Sequence, residues 1–303
     1  MKWKGRRQSD NIDDRRGQSA GYGLSSGGSS LLSFLPMLIR SKTGRTVLVV
    51  GIVIFFGAKM MGIDLLPMLL GTGGPTTAST SSTQELSVED QEASQFAAFV
   101  LADTEDTWNA IFAAQGQTYQ EPTLVLFNDR VSSACGMASS ATGPFYCPGD
   151  QQLYLDLSFF NALKNQHGAG GDFAQAYVIA HEVGHHIQTI LGISEQVRQA
   201  GRGKSEVAVN ALSVRQELQA DCFAGIWGHV ANTERQLLDP GDLEEALTAA
   251  SAIGDDRLMR EAGRGVVPDS FTHGTSAQRV RWFKRGFETG DFNSCNTFAA
   301  EAL

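Results

Sequence analysis

Basic residues are scarce in this chain of 303 residues, where Lys and Arg number 24 against 33 Asp and Glu. The shortage is uneven. Up to Arg45, nine basic residues face only Asp10, Asp13 and Asp14, a formal +6, so the whole-chain charge of −9 leaves −15 on the remainder. A body that acidic offers no basic face to a phosphate backbone, which argues against nucleic acid as a partner. Cysteine is scarcer still. The four residues Cys135, Cys147, Cys222 and Cys295 include no C-x-x-C pair, so none forms a thiolate zinc pattern. The H-x-E and P-C-x-x-C pair is also missing, which disfavours nucleotide deamination. No internal repeat is apparent.

Charge is absent altogether from residues 46–58 (TVLVVGIVIFFGA), and the apolar run extends to Ile63 if Lys59 snorkels to the headgroups. Eighteen helical residues cover about 27 Å, enough for a thin bilayer. Basic residues crowd the preceding flank. The positive-inside rule then places the N-terminus in the cytoplasm and everything after about residue 64 outside, at the inner (cell) membrane. No A-x-A site follows closely, which favours an uncleaved anchor over a signal peptide.

Gly, Ser and Arg dominate residues 1–30, so residues 1–45 read as a disordered basic tail. Residues 46–63 read as a transmembrane helix and 64–84 as a flexible linker, including GTGGPTTASTSSTQ. The folded domain is expected over 85–303. Ser87 with Asp90 forms a capping-box pattern before apolar residues at helical spacing. Thr123 to Phe127 and Gln152 to Leu157 read as strands, the latter with alternating leucines. The class expected is therefore α+β and predominantly helical, with a small β-sheet.

The richest stretch is AHEVGHHIQ, residues 180–188, within a helix expected from an Asp172 cap through Leu191 to a stop at Gly192. His181 and His185 lie four apart on one face and are suited to grip one zinc ion. Glu182 projects about 100° round from His181, where it reaches a metal-bound water without ligating. Gly184 shares the ligand face and permits close approach of another backbone. His186 points elsewhere and is assigned to packing or to hydrogen bonding behind the ligands. Catalytic zinc takes three protein ligands, so a third is needed. A second helical pattern, from about Val209 to Val230, carries Glu217 and Asp221 on one face. One carboxylate is suited to bind zinc and the other to orient a ligand histidine.

In this order, H-E-x-x-H followed by E-x-x-A-D resembles the gluzincin metallopeptidases. That resemblance implies a zincin-like catalytic domain with Glu217 as third ligand and Asp221 as orienting residue. The chain is more closely similar to the bacterial neutral zinc metallopeptidase family, whose members are membrane-anchored. The likeness rests on KWKGRRQSDNIDDRR, GPFYCPGDQQLYLDLSFF, AHEVGHHIQ, ELQADCFAGIW and PDSFTHGTSAQRVRWF. Resemblance to membrane-linked gluzincins implies that His273, just before a late helix, stabilises the oxyanion, a surface or packing role being the alternative; Arg279 is a second candidate for that role or a carboxylate partner. It also makes Gln152 to Leu157 a candidate edge strand for an extended peptide.

The mechanism expected is attack by a zinc-activated water, with Glu182 taking its proton and returning it to the leaving amine. The partner expected is a peptide or protein substrate. Competing readings are a non-catalytic zinc-stapled interaction domain and a zinc amidase acting on cell-wall material. All four cysteines follow the apolar run, which fits an oxidising compartment. Three pairings are possible. Cys135 with Cys147 is favoured because it closes a short Gly/Ser-rich loop, and Cys222 with Cys295 because it ties the C-terminal tail to the helix carrying Glu217.

Overall fold

A computed structural model describes residues 1–17 and 87–303. Helices make up most of this unit. In chain order the elements are β1 (Ile12–Asp14), α1 (Val88–Ala114), β2 (Thr123–Phe127), β3 (Arg130–Ser133), β4 (Gly136–Ser139), β5 (Phe145–Cys147) and β6 (Gln152–Asp156). The helices α2 (Ser158–His167), α3 (Asp172–Ile190), α4 (Ile193–Gly201), α5 (Glu206–Thr233), α6 (Asp242–Ala252), α7 (Asp255–Glu261) and α8 (Ser276–Thr289) follow.

Helix α1 starts at the expected capping box. The Ser87 hydroxyl accepts from the Asp90 N–H at 3.0 Å, and the Asp90 carboxylate accepts from the Ser87 N–H at 3.3 Å. Its middle, Phe96 to Ala102, is buried without interruption, so this is a core helix with no broad solvent face. The four-stranded sheet runs β1-β2-β6-β5, with β1, β2 and β6 parallel and β5 antiparallel to β6. Alternation sorts its side chains. Leu124, Leu126, Leu153 and Leu155 pack toward the helices, while Val125, Phe127 and Tyr154 join a smaller cluster with Val131. Burial on both faces suits central parallel strands.

This order corrects the expectation for Gln152 to Leu157. β6 lies inside the sheet, hydrogen-bonded on both sides, and the edges are β1 and β5. The leucine alternation reported a buried face, which interior and edge strands share.

Residues 1–17 require a second correction, because they fold with the body and are not a disordered tail. β1 pairs with β2 in the register Ile12↔Leu124, Asp13↔Val125 and Asp14↔Leu126. The Trp3 ring stands edge-on to Phe96 at 5.3 Å. Ser9 donates to the buried Glu105 carboxylate, which also receives Arg7 at 3.0 Å. The Met1 ammonium lies among Asp172 at 2.7 Å and Asp242 at 3.2 Å, so this acidic cluster, with Glu245 beside it, already holds a cation. Composition concealed the strand because three residues are too few to show alternation, and their partner lies over a hundred residues away. The remaining tail, the expected span at 46–63 and the linker at 64–84 fall outside the described residues. Among the described residues, no helix is long and apolar enough to cross a membrane.

The motif helix begins one residue earlier than expected. Asp172 is its first residue, not its cap, and engages the Met1 ammonium. The freed Phe173 N–H donates instead to Glu245 of α6 at 3.1 Å. Gly192, left-handed at φ 74°, follows the helix end. Helices α3 and α5 approach closely at Gly184, where an added Cβ would stand 2.9 Å from the Ala220 carbonyl oxygen and 3.0 Å from its Cα. Both neighbours are backbone and yield little. Gly184→Ala is therefore expected to lower stability by about 1–3 kcal/mol through overpacking, against a helix-propensity gain of about 1 kcal/mol. It should also weaken zinc binding, because Glu217 and Asp221 flank Ala220; thermal melts and zinc titration of the variant check both effects. Two disulfides join Cys135 to Cys147 and Cys222 to Cys295, with Cα separations of 5.8 and 5.6 Å. The second ties the C-terminal segment to α5, the helix that carries Glu217.

Candidate active site

Helix α3 presents His181 and His185 one turn apart, and α5 crosses it with Glu217 facing both. The His181 Nε2 lies 3.2 Å from Glu217 Oε2, and the His185 Nε2 lies 3.4 Å from Oε1. One ligand atom from each of the three residues falls within 4.8 Å of the others. The outer nitrogens are already engaged. His181 Nδ1 donates to Asp221 Oδ1 at 2.8 Å, and His185 Nδ1 to Gln188 Oε1 at 3.0 Å. Gln188 is itself held in that orientation by donating to the Gln216 carbonyl at 2.7 Å and to Gln219 at 3.1 Å. Both imidazoles are thereby turned with Nε2 toward the carboxylate, the tautomer and aim that a divalent metal requires. Two imidazoles and one carboxylate form a zinc donor set, so the residues fit the ion.

Burial works against the charged imidazole of His181, but the adjoining Asp221 and Glu217 outweigh it and raise the ring to about 9. His185 is raised too, with burial again opposed by Glu217. Burial likewise opposes ionisation of Glu217, yet His185 and His181 hold it well below the usual carboxylate range. Because His181 is raised to about 9 and a ligating imidazole is neutral, zinc binding at pH 7 is expected to release a proton. Calorimetry in buffers of different ionisation enthalpy should show this, with apparent affinity falling about tenfold per pH unit per displaced proton as the pH drops.

Behind the ligands lies a buried polar network centred on Asp221, which has no exposed surface. Its carboxylate accepts from Tyr177 Oη at 2.6 Å, from His181, and from Arg279 Nε and Nη2 at 2.9 Å each. Arg279 therefore pairs with a carboxylate, one of its two expected roles, while still lining the cavity. Tyr177 was not anticipated. It sits one turn before His181 on the ligand face, so helical spacing alone could have flagged it.

A cavity of about 810 Å³ opens in front of this network and includes His181, Glu182, His185, Glu217, His273 and Arg279 in its lining. Glu182 is partly exposed there, and among the described residues no hydrogen bond engages its carboxylate. His273 reaches the same cavity from the loop before α8. Its Nδ1 lies 3.2 Å from Asp255 Oδ1, and Asp255 also accepts the backbone N–H groups of Thr272, His273 and Gly274 at 2.8, 2.6 and 3.0 Å. That hydrogen bond to Asp255 raises His273. Asp255 carries no sequence signal, because its partners lie seventeen to nineteen residues further on. His186 faces away from the ligands. Fully buried, it donates from Nε2 to the Gln120 carbonyl at 2.6 Å and meets Tyr146 Oη at 3.1 Å through Nδ1. It braces the cavity wall through Tyr146 and does not contact a ligand.

The chain is similar to known proteins over most of its length. The family model described as "Putative neutral zinc metallopeptidase" matches residues 1–298. The uncharacterized protein YpfJ of Escherichia coli strain K12 is 50% identical over 298 residues, covering 98% of this chain and 99% of YpfJ. The uncharacterized protein Rv2575 of Mycobacterium tuberculosis strain H37Rv is 40% identical over 222 residues, covering 70% of this chain and 74% of its own. No solved structure matches significantly. With a family model spanning residues 1–298, nearly its whole length, the chain belongs to the neutral zinc metallopeptidase family.

Proposed function

We propose that this protein is a zinc-dependent peptidase acting on a peptide or protein in an oxidising compartment. One observation carries the reading: three side chains suited to ligate zinc converge with a partly exposed Glu182, which has no hydrogen bond among the described residues, beside them in one open cavity. Bound zinc supplies a Lewis acid that polarises a carbonyl and acidifies water. The chain's own residues do the rest. Glu182 takes the proton of the attacking water and later delivers it to the leaving amine. Asp221 holds the His181 tautomer, and Arg279 balances the Asp221 charge. His273, fixed by Asp255, stands on the cavity wall as the donor to the developing oxyanion.

The edge strand β5 contributes Phe145 and Tyr146 to the same cavity, so an extended peptide is suited to add alongside it. Two disulfides support the compartment. A zinc site that merely stapled α3 to α5 would not need an unengaged carboxylate aimed into an open cavity.

The test uses the purified full chain. It should carry one equivalent of zinc, cut an unfolded protein, lose that activity to a chelator and regain it with zinc. A zinc-loaded chain that leaves unfolded proteins and peptides intact would overturn the reading.

A further inference from the structure

The segment after α8 lies along α5 and reaches the metal site through a chain of amides. Arg215, Gln219 and Cys222 fall at helical spacing on one side of α5, and each meets this segment. Arg215 donates to the carbonyls of Thr297 and Ala300, and its own carbonyl accepts from the Thr297 hydroxyl at 2.6 Å. Cys222 is joined to Cys295 by the disulfide. Between them, Gln219 Nε2 donates to the Cys295 carbonyl at 3.1 Å, and the Thr297 N–H donates to the same oxygen at 2.9 Å. Gln188, Gln219, Cys222, Cys295 and Thr297 are each at most 5% exposed, so bulk water has little access to these bonds.

A backbone carbonyl only accepts, whereas a glutamine amide donates from nitrogen and accepts at oxygen. The Cys295 carbonyl therefore draws the Gln219 nitrogen toward itself and leaves Oε1 for Gln188, which donates to it at 3.1 Å. The Gln188 nitrogen also donates to the Gln216 carbonyl at 2.7 Å, so both of its protons are engaged. Its oxygen is left to face His185, 3.0 Å from Nδ1. An acceptor there requires the proton on Nδ1 and leaves the Nε2 lone pair for a metal. With the Gln219 amide turned round, nitrogen would face nitrogen at Gln188 and oxygen would face oxygen at Cys295, and buried groups mismatched in this way are costly. His181 has no such dependence, because the Asp221 carboxylate fixes its Nδ1 proton directly.

We propose that Gln219 is a positioning residue for the metal site, and that residues 295–297, fastened to α5 by the Cys222–Cys295 disulfide, set the polarity of the amide chain that aims His185. This rests on the reading of His185 as a zinc ligand. Among the described residues Gln219 forms no hydrogen bond with a metal ligand, and it does not line the cavity; it acts through Gln188. The two histidines of the motif are thus aimed by different devices, one by a carboxylate beside it and the other by a carbonyl on a segment that joins the helix from the far end of the fold.

The test uses the full chain with isotope-labelled histidine. Gln219→Met keeps the side-chain length and removes both polar atoms. Its zinc affinity, measured by competition with a chelator, is expected to fall by about 10–100-fold. In NMR spectra of the zinc-loaded chain, the Nδ1 proton of His185 should exchange with water faster than in the wild type, while that of His181, held by Asp221, stays as it was. A loss of packing alone would lower the melting temperature and leave both ring protons unchanged. Cys222→Ala combined with Cys295→Ala keeps Gln219 and loosens its anchor, so it should shift the same His185 proton and weaken zinc binding by about tenfold. That pair decides the matter if Gln219→Met does not fold. A folded Gln219→Met chain that binds zinc as tightly as the wild type overturns the inference, and so does a double cysteine variant with an unchanged His185 proton. A wild-type chain whose His185 shows no zinc-bound nitrogen overturns the reading of the metal site as well, which keeps the two failures apart.

Discussion

Glu182→Gln is expected to keep its zinc and lose peptide cleavage by about 10²–10⁴-fold, the usual contribution of a positioned general base. The substitution is nearly isosteric and leaves all three ligands untouched. Among the described residues the Glu182 carboxylate forms no hydrogen bond, so its replacement strands no buried partner and should shift the melting temperature little. What is lost is the ability to accept a proton from water. The deficit should therefore fall on kcat, with KM changed far less, since peptide binding along the cavity does not need the carboxylate. Metal analysis alongside the kinetics separates this outcome from zinc loss. A variant that holds zinc and cleaves within a few-fold of wild type would remove Glu182 from the mechanism and leave the metal site intact.

The second large effect is expected at Arg279. Asp221 has no exposed surface, and burial opposes its ionisation, yet Arg279 and then His181 hold it below the usual range. Arg279→Met keeps most of the side-chain volume and removes the charge, leaving a buried carboxylate with only Tyr177 and His181 as donors. Breaking a buried pair from one side costs about 3–5 kcal/mol. Denaturation of the zinc-free variant should show that loss. Zinc affinity should also drop, by about 10–100-fold, because the group that orients His181 is itself no longer held. Adding Asp221→Asn removes the stranded charge, so the double variant should recover part of the stability but none of the affinity. If Arg279→Met alone changes stability by less than about 1 kcal/mol, the pair is not the keystone of the network, since an effect that small is typical of an exposed pair.

Legibility of the site divides along lines of chain geometry. His181, Glu182 and His185 were readable because helical spacing fixes their relative directions before any tertiary contact forms. Glu217 and Asp221 were readable as a pair for the same reason, and the family resemblance supplied their connection to the histidines. The Ser87–Asp90 cap, the strands at Thr123 and Gln152 and both disulfides are found where the sequence placed them. Asp255 was invisible, since nothing in a short helix at residues 255–261 announces that its first carboxylate caps a loop further along. Gln188 shares the ligand face by helical spacing, but its role depends on Gln216 and Gln219 from another helix.

The largest error, the N-terminal segment, has the same origin in reverse. A three-residue parallel strand has no local stability and no periodic trace; it exists because β2 offers it hydrogen bonds and Phe96 and Phe99 offer Trp3 a surface. By itself, then, the sequence determined the chemistry of the two helices, because side-chain direction along a helix follows from backbone geometry alone. Only the tertiary structure decided which histidine Asp221 orients, which strands form the sheet's edges, and that Met1 lies beside the helix of His181 and His185. Those contacts join residues distant in the chain, and packing, not sequence spacing, brings them together.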